Sequence, residues 1–367
     1  MNRKLKDKLI LICFFGILIG FLLANILTRD AAYSASERRK LARFPKLSSE
    51  RIFDGTVFEQ FDKYALDQFV LRDGFRGIKA LFAYNLFRQK DNNGLYFWGD
   101  HIVKMKYKMN EESVLNAAKK MNGIYEKYFI GMDAYFAIIP DKNDYSASVS
   151  GRLSTDIEKM AGLLRNNMPD IREIKLFDTL SLDDYYLTDI HWKQENLTGT
   201  VNRLLESMGN PVRISGNDFE KKELYPFFGV YYGQAALPAK PDTLSLLTAD
   251  SLEKSLVFDY ERNEQIHIYA PEKFGGTDPY DVFLSGAKLL LKITDTQSET
   301  DRELVLFRDS FGSSIAPLLL TGYKTIFLVD LRYMSSELLP EYIDFSVKRD
   351  VLFLYGADVL NNSHMLK

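Results

Sequence analysis

The chain holds a single cysteine in 367 residues, and Cys13 lies inside an apolar run near the N-terminus. No disulfide framework and no thiolate zinc site can therefore form in the rest of the sequence. Histidine is scarce as well: His101, His191, His267 and His364 are the full set, and no HxH or HExxH spacing occurs among them. A metal-dependent hydrolase lacks its usual ligand pattern, so no metal and no cofactor is expected. A basic stripe is missing too. Lys and Arg number 47 against 50 Asp and Glu, for a net charge of −3, which argues against a nucleic-acid partner. There is no internal repeat and no low-complexity tract.

What is there begins with Leu9 to Leu27, a stretch without charge. It is long enough to cross a ~30 Å hydrocarbon core as a helix. Arg3, Lys4, Lys6 and Lys8 precede it. Positive flanks stay on the cytoplasmic side, which places the remainder of the chain outside. A cleaved signal peptide would carry a shorter apolar run and a small-x-small site directly after it. Either reading exports the rest, and an uncleaved single-pass membrane anchor is the expectation. Residues 1–29 read as cytoplasmic flank and anchor. Residues 30–110 read as a juxtamembrane linker with a helical and hairpin region. Residues 111–367 form the main domain.

Within that domain helix and strand alternate. "EESVLNAAKKMNGIYEKYF" has helical spacing, and "AYFAIIP" is an apolar run suited to a buried parallel strand. "TDIEKMAGLLRNNM" is a helix with Thr155 or Asp156 as N-cap. "REIKLFD" is a strand, and "QENLTGTVNRLLESMG" is a helix ending near Gly209. The rhythm breaks from about 213 to 300, which reads as a β-rich insertion. It resumes with strand "ELVLF", helix "GSSIAPLLLTG", strand "KTIFLVD", helix "SELLPEYIDFSV" and strand "DVLFLY". Such alternation predicts an α/β fold with one parallel sheet covered on both faces.

Two segments carry chemistry. In "LVLFRDSFGSS" a strand runs into a tight turn, with Ser310 at the start of the next helix. That exposes a hydroxyl at the carboxyl edge of a parallel sheet, beside backbone N–H groups able to stabilise an oxyanion. Gly312 would permit close backbone approach. Helix capping is the competing role for Ser310 or Asp309. In "YYLTDIHWKQENL", Asp189 and His191 flank one residue before a helix. A serine needs a base, and the base needs a carboxylate to fix its tautomer. A structural histidine is the competing role. Trp192 suits either a sugar ring or packing at the helix start. Arg332 and Lys142 both follow strands of the sheet, "KTIFLVD" and "AYFAIIP", and so belong to the same edge.

"TDIHW", then "FRDSFGSS" and "VDLRYM" further on, resemble the DHHW family of bacterial exported proteins, which is similar to the SGNH-hydrolase-like alginate O-acetylation proteins. "RKLARFPKL", "YFAIIPDKNDY", "FFGVYYGQAALP" and "YDVFLSGA" extend the resemblance over nearly the whole exported part. The name-giving motif has His where this chain has Ile190. The serine segment reads Arg-Asp-Ser rather than Gly-Asp-Ser. The resemblance implies an SGNH-hydrolase-like three-layer fold, with Ser310 as nucleophile, His191 as base, Asp189 as its orienting carboxylate and Arg332 in the active site. It also implies an O-acetyltransferase or acetylesterase acting on a cell-surface or secreted polysaccharide, with an acyl donor and a membrane-bound O-acyltransferase partner. The alternative from another class is a non-catalytic glycan-binding or assembly subunit that keeps the fold.

Overall fold

The computed structural model describes residues 3–367. They group into two units: the residues up to Asn93 with Tyr232–Pro238, and Gly94–Tyr231 with Ala239–Lys367. In the first unit, helix α1 (Arg3–Leu27) buries none of its residues. Among the described residues it is the one helix long and apolar enough to cross a membrane. Helices α2 (Thr56–Asp67) and α3 (Arg72–Leu81) follow, the latter continuing through a wide turn at Phe82–Leu86.

The second unit opens with the hairpin β1 (Leu95–Trp98) and β2 (His101–Lys104). Helix α4 (Glu111–Tyr128) is capped by Asn110, whose Oδ1 accepts the Ser113 N–H. Then come β3 (Ala134–Ile139), α5 (Lys142–Ser150), α6 (Ile157–Asn167), β4 (Ile171–Glu173) and α7 (Thr198–Ser207). Asp156 is the N-cap of α6, its carboxylate accepting the Lys159 N–H. The inserted region supplies β5 (Glu220–Phe227) and β6 (Asp242–Thr248), which pair with each other. It also supplies β7 (Leu256–Asp259), β8 (Glu264–Ile266) and β9 (Leu290–Thr294). Last are β10 (Glu303–Arg308), α8 (Phe311–Leu319), β11 (Thr325–Val329) and β12 (Asp350–Gly356).

Eight strands form the main sheet in the order β8-β7-β9-β11-β10-β12-β3-β4. The five strands from β11 to β4 are parallel, and β9, β7 and β8 extend the sheet antiparallel. This is the α/β fold with a mainly parallel sheet that the alternation predicts. Successive strand residues point to opposite faces. Leu304, Leu306, Leu352 and Leu354 therefore pack with α7 and α8, while Val305, Phe307, Val351 and Phe353 pack with α4 and α6. Helices on both faces of the sheet give three layers. One expectation fails locally: "SELLPEYIDFSV" is not an α-helix but a 3₁₀ stretch at Ser336–Glu341. Pro340 has no N–H to give and its ring obstructs the preceding turn. Helix α5 carries no clear apolar stripe and was not anticipated.

Candidate active site

Strands β10, β11, β12 and β3 all end at one edge of the sheet, where their connections surround a small cavity of about 110 Å³. Ser310, Phe311, Asp141, Ile190, Arg332 and Gly356 contribute to its wall. Ser310 closes the turn from β10 into α8 and is partly exposed. Its Oγ lies 2.8 Å from His191 Nε2. His191 Nδ1 lies 2.6 Å from Asp189 Oδ1. Two segments 119 residues apart thus meet in one continuous hydroxyl–imidazole–carboxylate chain.

The loop that carries Asp189 and His191 is tied down on several sides. Asp189 Oδ1 also accepts the His191 N–H, and Oδ2 accepts the Val230 N–H at 2.8 Å. A Cβ at Gly229 would collide with the Asp189 backbone and Cβ, so only glycine lets the 229–230 backbone come that close. Asp242, in β6, accepts the N–H groups of Leu187 and Thr188 and the Thr188 hydroxyl. Beneath the loop, Tyr280 lies parallel to the imidazole of His191. Ser314 Oγ accepts from both the Tyr280 hydroxyl and Trp192 Nε1.

The serine turn is held from the other side. Asp309 Oδ1 accepts the Phe311 N–H and Oδ2 the Gly356 N–H, at 3.0 and 2.7 Å. Burial raises the pKa of this carboxyl. Arg308 is fully buried, with Nη1 3.6 Å from Asp330 Oδ2. Its Nε and Nη2 find no partner among the described residues. Burial lowers its pKa, with Asp330 pulling the other way. Asp330 in turn grips Arg332 through Nε and Nη2, at 2.9 and 2.6 Å. That bidentate pairing fixes the guanidinium plane and leaves Nη1 as its remaining nitrogen.

Three expectations about individual residues need correction. Trp192 is fully buried, with its ring edge-on to Phe311 at 5.2 Å, so it packs the loop and presents no face to a sugar. Lys142 does not reach the cavity. It is fully buried, and its Nζ donates to the carbonyl oxygens of Ile102, Tyr186, Leu187 and Asp189 at 2.7 to 3.1 Å. Burial lowers its pKa to about 7, opposed by Asp189, Asp242 and Asp141. Gly312 gives room to the Arg308 side chain, whose Cβ would sit 2.5 Å from an added Cβ. Its N–H bonds to Asp309 O, and that of Ser313 to Ser310 O. The first turn of α8 thus satisfies most of its amides internally.

Solved structures share this arrangement of elements. A crystal structure of a DHHW family protein from Eubacterium siraeum superposes with a TM-score of 0.62 and 17% identity, over 75% of this chain and 94% of that one. The chain shares its fold with a DHHW family protein. Bacillus cereus PatB1 matches with a TM-score of 0.59 and 16% identity, over 73% of this chain and 97% of that one. PatB1 solved with a sulfonyl adduct gives a TM-score of 0.58 and 18% identity, over 72% and 95%. No protein-family model and no curated protein matches the sequence.

Around Ser310, His191 and Asp189, sequence reasoning missed Tyr280, Asp242 and the 229–230 backbone. Tyr280 sits in "YDVFLSGA", a segment that figured in the resemblance without a role. Nothing in its spacing points to a histidine 89 residues away.

Proposed function

We propose that this chain is a membrane-anchored, serine-dependent O-acyltransferase or acetylesterase acting outside the cytoplasm on a cell-surface or secreted polysaccharide. One observation carries the reading: the hydrogen-bonded chain from Ser310 through His191 to Asp189 at the carboxyl edge of a parallel sheet. The substrate class follows from the resemblance to the DHHW family. The cavity of about 110 Å³ favours a short acyl group over a long one.

Asp189 accepts from Nδ1–H, which leaves Nε2 as the acceptor for the serine proton. Ser310 Oγ attacks the acyl carbonyl while His191 takes that proton. We assign the oxyanion to the Ser310 N–H and Arg332 Nη1, both of which belong to residues lining the cavity. The tetrahedral intermediate collapses with return of the proton to the leaving oxygen, and Ser310 is acylated. A sugar hydroxyl, or water in the esterase case, then attacks the acyl-serine with His191 again acting as base. An acyl donor and a membrane-bound O-acyltransferase that loads this domain complete the scheme.

The test is incubation with a small acetyl ester and with phenylmethanesulfonyl fluoride. Acetate should be released, and mass spectrometry should find the sulfonyl group on Ser310. Glycan binding without turnover, unchanged in Ser310→Ala, would instead establish a non-catalytic subunit.

A further inference from the structure

We infer that the apolar face of residues 71–86 lies on the outer leaflet of the bilayer, a second membrane contact beside the span. Leu71, Phe75, Ile78, Phe82 and Leu86 recur at three- and four-residue spacing, which sets them on one helical face. Their exposures are 70, 44, 51, 50 and 62%. A few charged side chains of the same unit turn inward, away from this face. Arg72 and Arg76 both pair with Glu37, and Arg39 pairs with Asp67. The side chains of Glu37, Asp67, Arg72 and Arg76 are only 11 to 19% exposed. Ordinary water-facing surfaces scatter single apolar residues, whereas an apolar patch of this extent marks a contact surface.

Continuity with the span identifies the occupant as lipid. Phe21 of α1 stacks on Phe69 at 5.6 Å and meets Phe75 edge-on at 5.8 Å. Asn25 Oδ1 accepts the Val70 N–H at 2.9 Å. Phe21 precedes the end of α1 by six residues, which sets it roughly 9 Å inside the helix terminus. A stripe that contains Phe75 therefore begins at the depth of acyl chains. Leu18, Leu22 and Ile26 of α1 with Phe44, Phe61 and Phe69 also line an apolar cavity of about 590 Å³. Residues 29–93 carry 13 basic against 9 acidic side chains, although the chain as a whole is at −3. That local excess suits anionic headgroups.

The experiment uses the full chain in phosphatidylcholine–phosphatidylglycerol vesicles with single nitroxide labels. Native Cys13, in α1, is the reference for the span. Ile78→Cys, Phe82→Cys and Leu86→Cys, each combined with Cys13→Ser, report on the stripe. Lys348→Cys in the same background is the aqueous reference, being 76% exposed. Collisions with oxygen relative to a water-soluble nickel chelate should be several-fold higher at the stripe than at position 348, and close to those at Cys13. Circular dichroism of each labelled protein confirms that it is folded. Labels at 78, 82 and 86 that match position 348 overturn the inference. So do labels shielded from both reagents, which would place a protein surface on the stripe. The Cys13 label reads the span separately, so failure of the anchor and failure of the stripe are distinguishable.

Discussion

Tyr280 lies flat against the imidazole of His191, with ring centroids 3.8 Å apart and planes 7° from parallel. Its hydroxyl donates to Ser314 Oγ at 2.7 Å, which locks the ring in that plane. The imidazole is thus held by a face contact as well as by its two edge hydrogen bonds. Tyr280→Phe keeps the face and loses only the lock, so kcat should fall by less than about tenfold. Tyr280→Ala lets the imidazole tilt away from Ser310, and kcat should drop roughly 10²-fold with KM little changed. Steady-state kinetics on a small acetyl ester separates the two.

Ser310→Ala and His191→Ala should each lower acyl transfer by several orders of magnitude while leaving circular dichroism and Tm near wild type. The double variant should be scarcely worse than either single, because the two side chains act as one unit. Asp189→Ala should be milder than His191→Ala, since it removes orientation rather than the base.

Gly229→Ala should disturb the same chain without replacing any member of it. The new methyl falls on Asp189, so the carboxylate must move from Nδ1. Loss of kcat with glycan binding retained is the expected result, measured by kinetics beside a binding titration.

Lys142→Met should unfold the site rather than disarm it. The carbonyls of Ile102, Tyr186 and Asp189 lose the Lys142 ammonium, as does that of Leu187, which keeps the Ile102 N–H. An unsatisfied buried acceptor costs about 1–3 kcal/mol, so even partial relaxation leaves a loss of several. A Tm drop on the order of 5–10 °C is expected for a domain of this size. Activity lost at unchanged Tm would place the ammonium in the chemistry instead.

His101 should make the fold acid-labile. Burial, with the nearby Lys142 and Lys193 charges, lowers its pKa from 6.5 to about 4. Between those values the unfolded chain binds the proton and the native protein does not, so stability rises with pH across that window. The contribution is complete above 6.5 and is lost as pH falls toward 4. Urea unfolding between pH 4 and 7 should show this slope in the wild type and a flatter one in His101→Gln.

Four of the five parallel strands were legible because each is an apolar run bounded by turn residues, as in "AYFAII" and "TIFLV", whereas β4 is a three-residue edge strand, Ile-Arg-Glu. The 3₁₀ stretch at Ser336–Glu341 was misread because Leu338 and Leu339 mimic a helical stripe that Pro340 prevents from forming. The association of Ser310, His191 and Asp189 was legible from residue type and position relative to strand ends. Lys142 was not, because a place at the sheet edge does not say which way a long side chain points. It turned to the carbonyls of residues 186–189, which a sequence does not mark as clustered. Trp192 was ambiguous for the same reason, and its buried indole partner Ser314 lies 122 residues away.

The sheet order has a consequence for the growing chain. Strand β3 pairs with β4 on one side and with β12 on the other. More than 200 residues separate Ile139 from Asp350. While the chain is synthesised from its N-terminus, Ala134–Ile139 therefore stays open along one edge until the last strand arrives. That edge is a six-residue segment with every side chain buried in the finished fold, the kind of sequence that adds to a neighbour's sheet when left bare. His191, made early, likewise waits 119 residues for Ser310, its partner across the sheet edge.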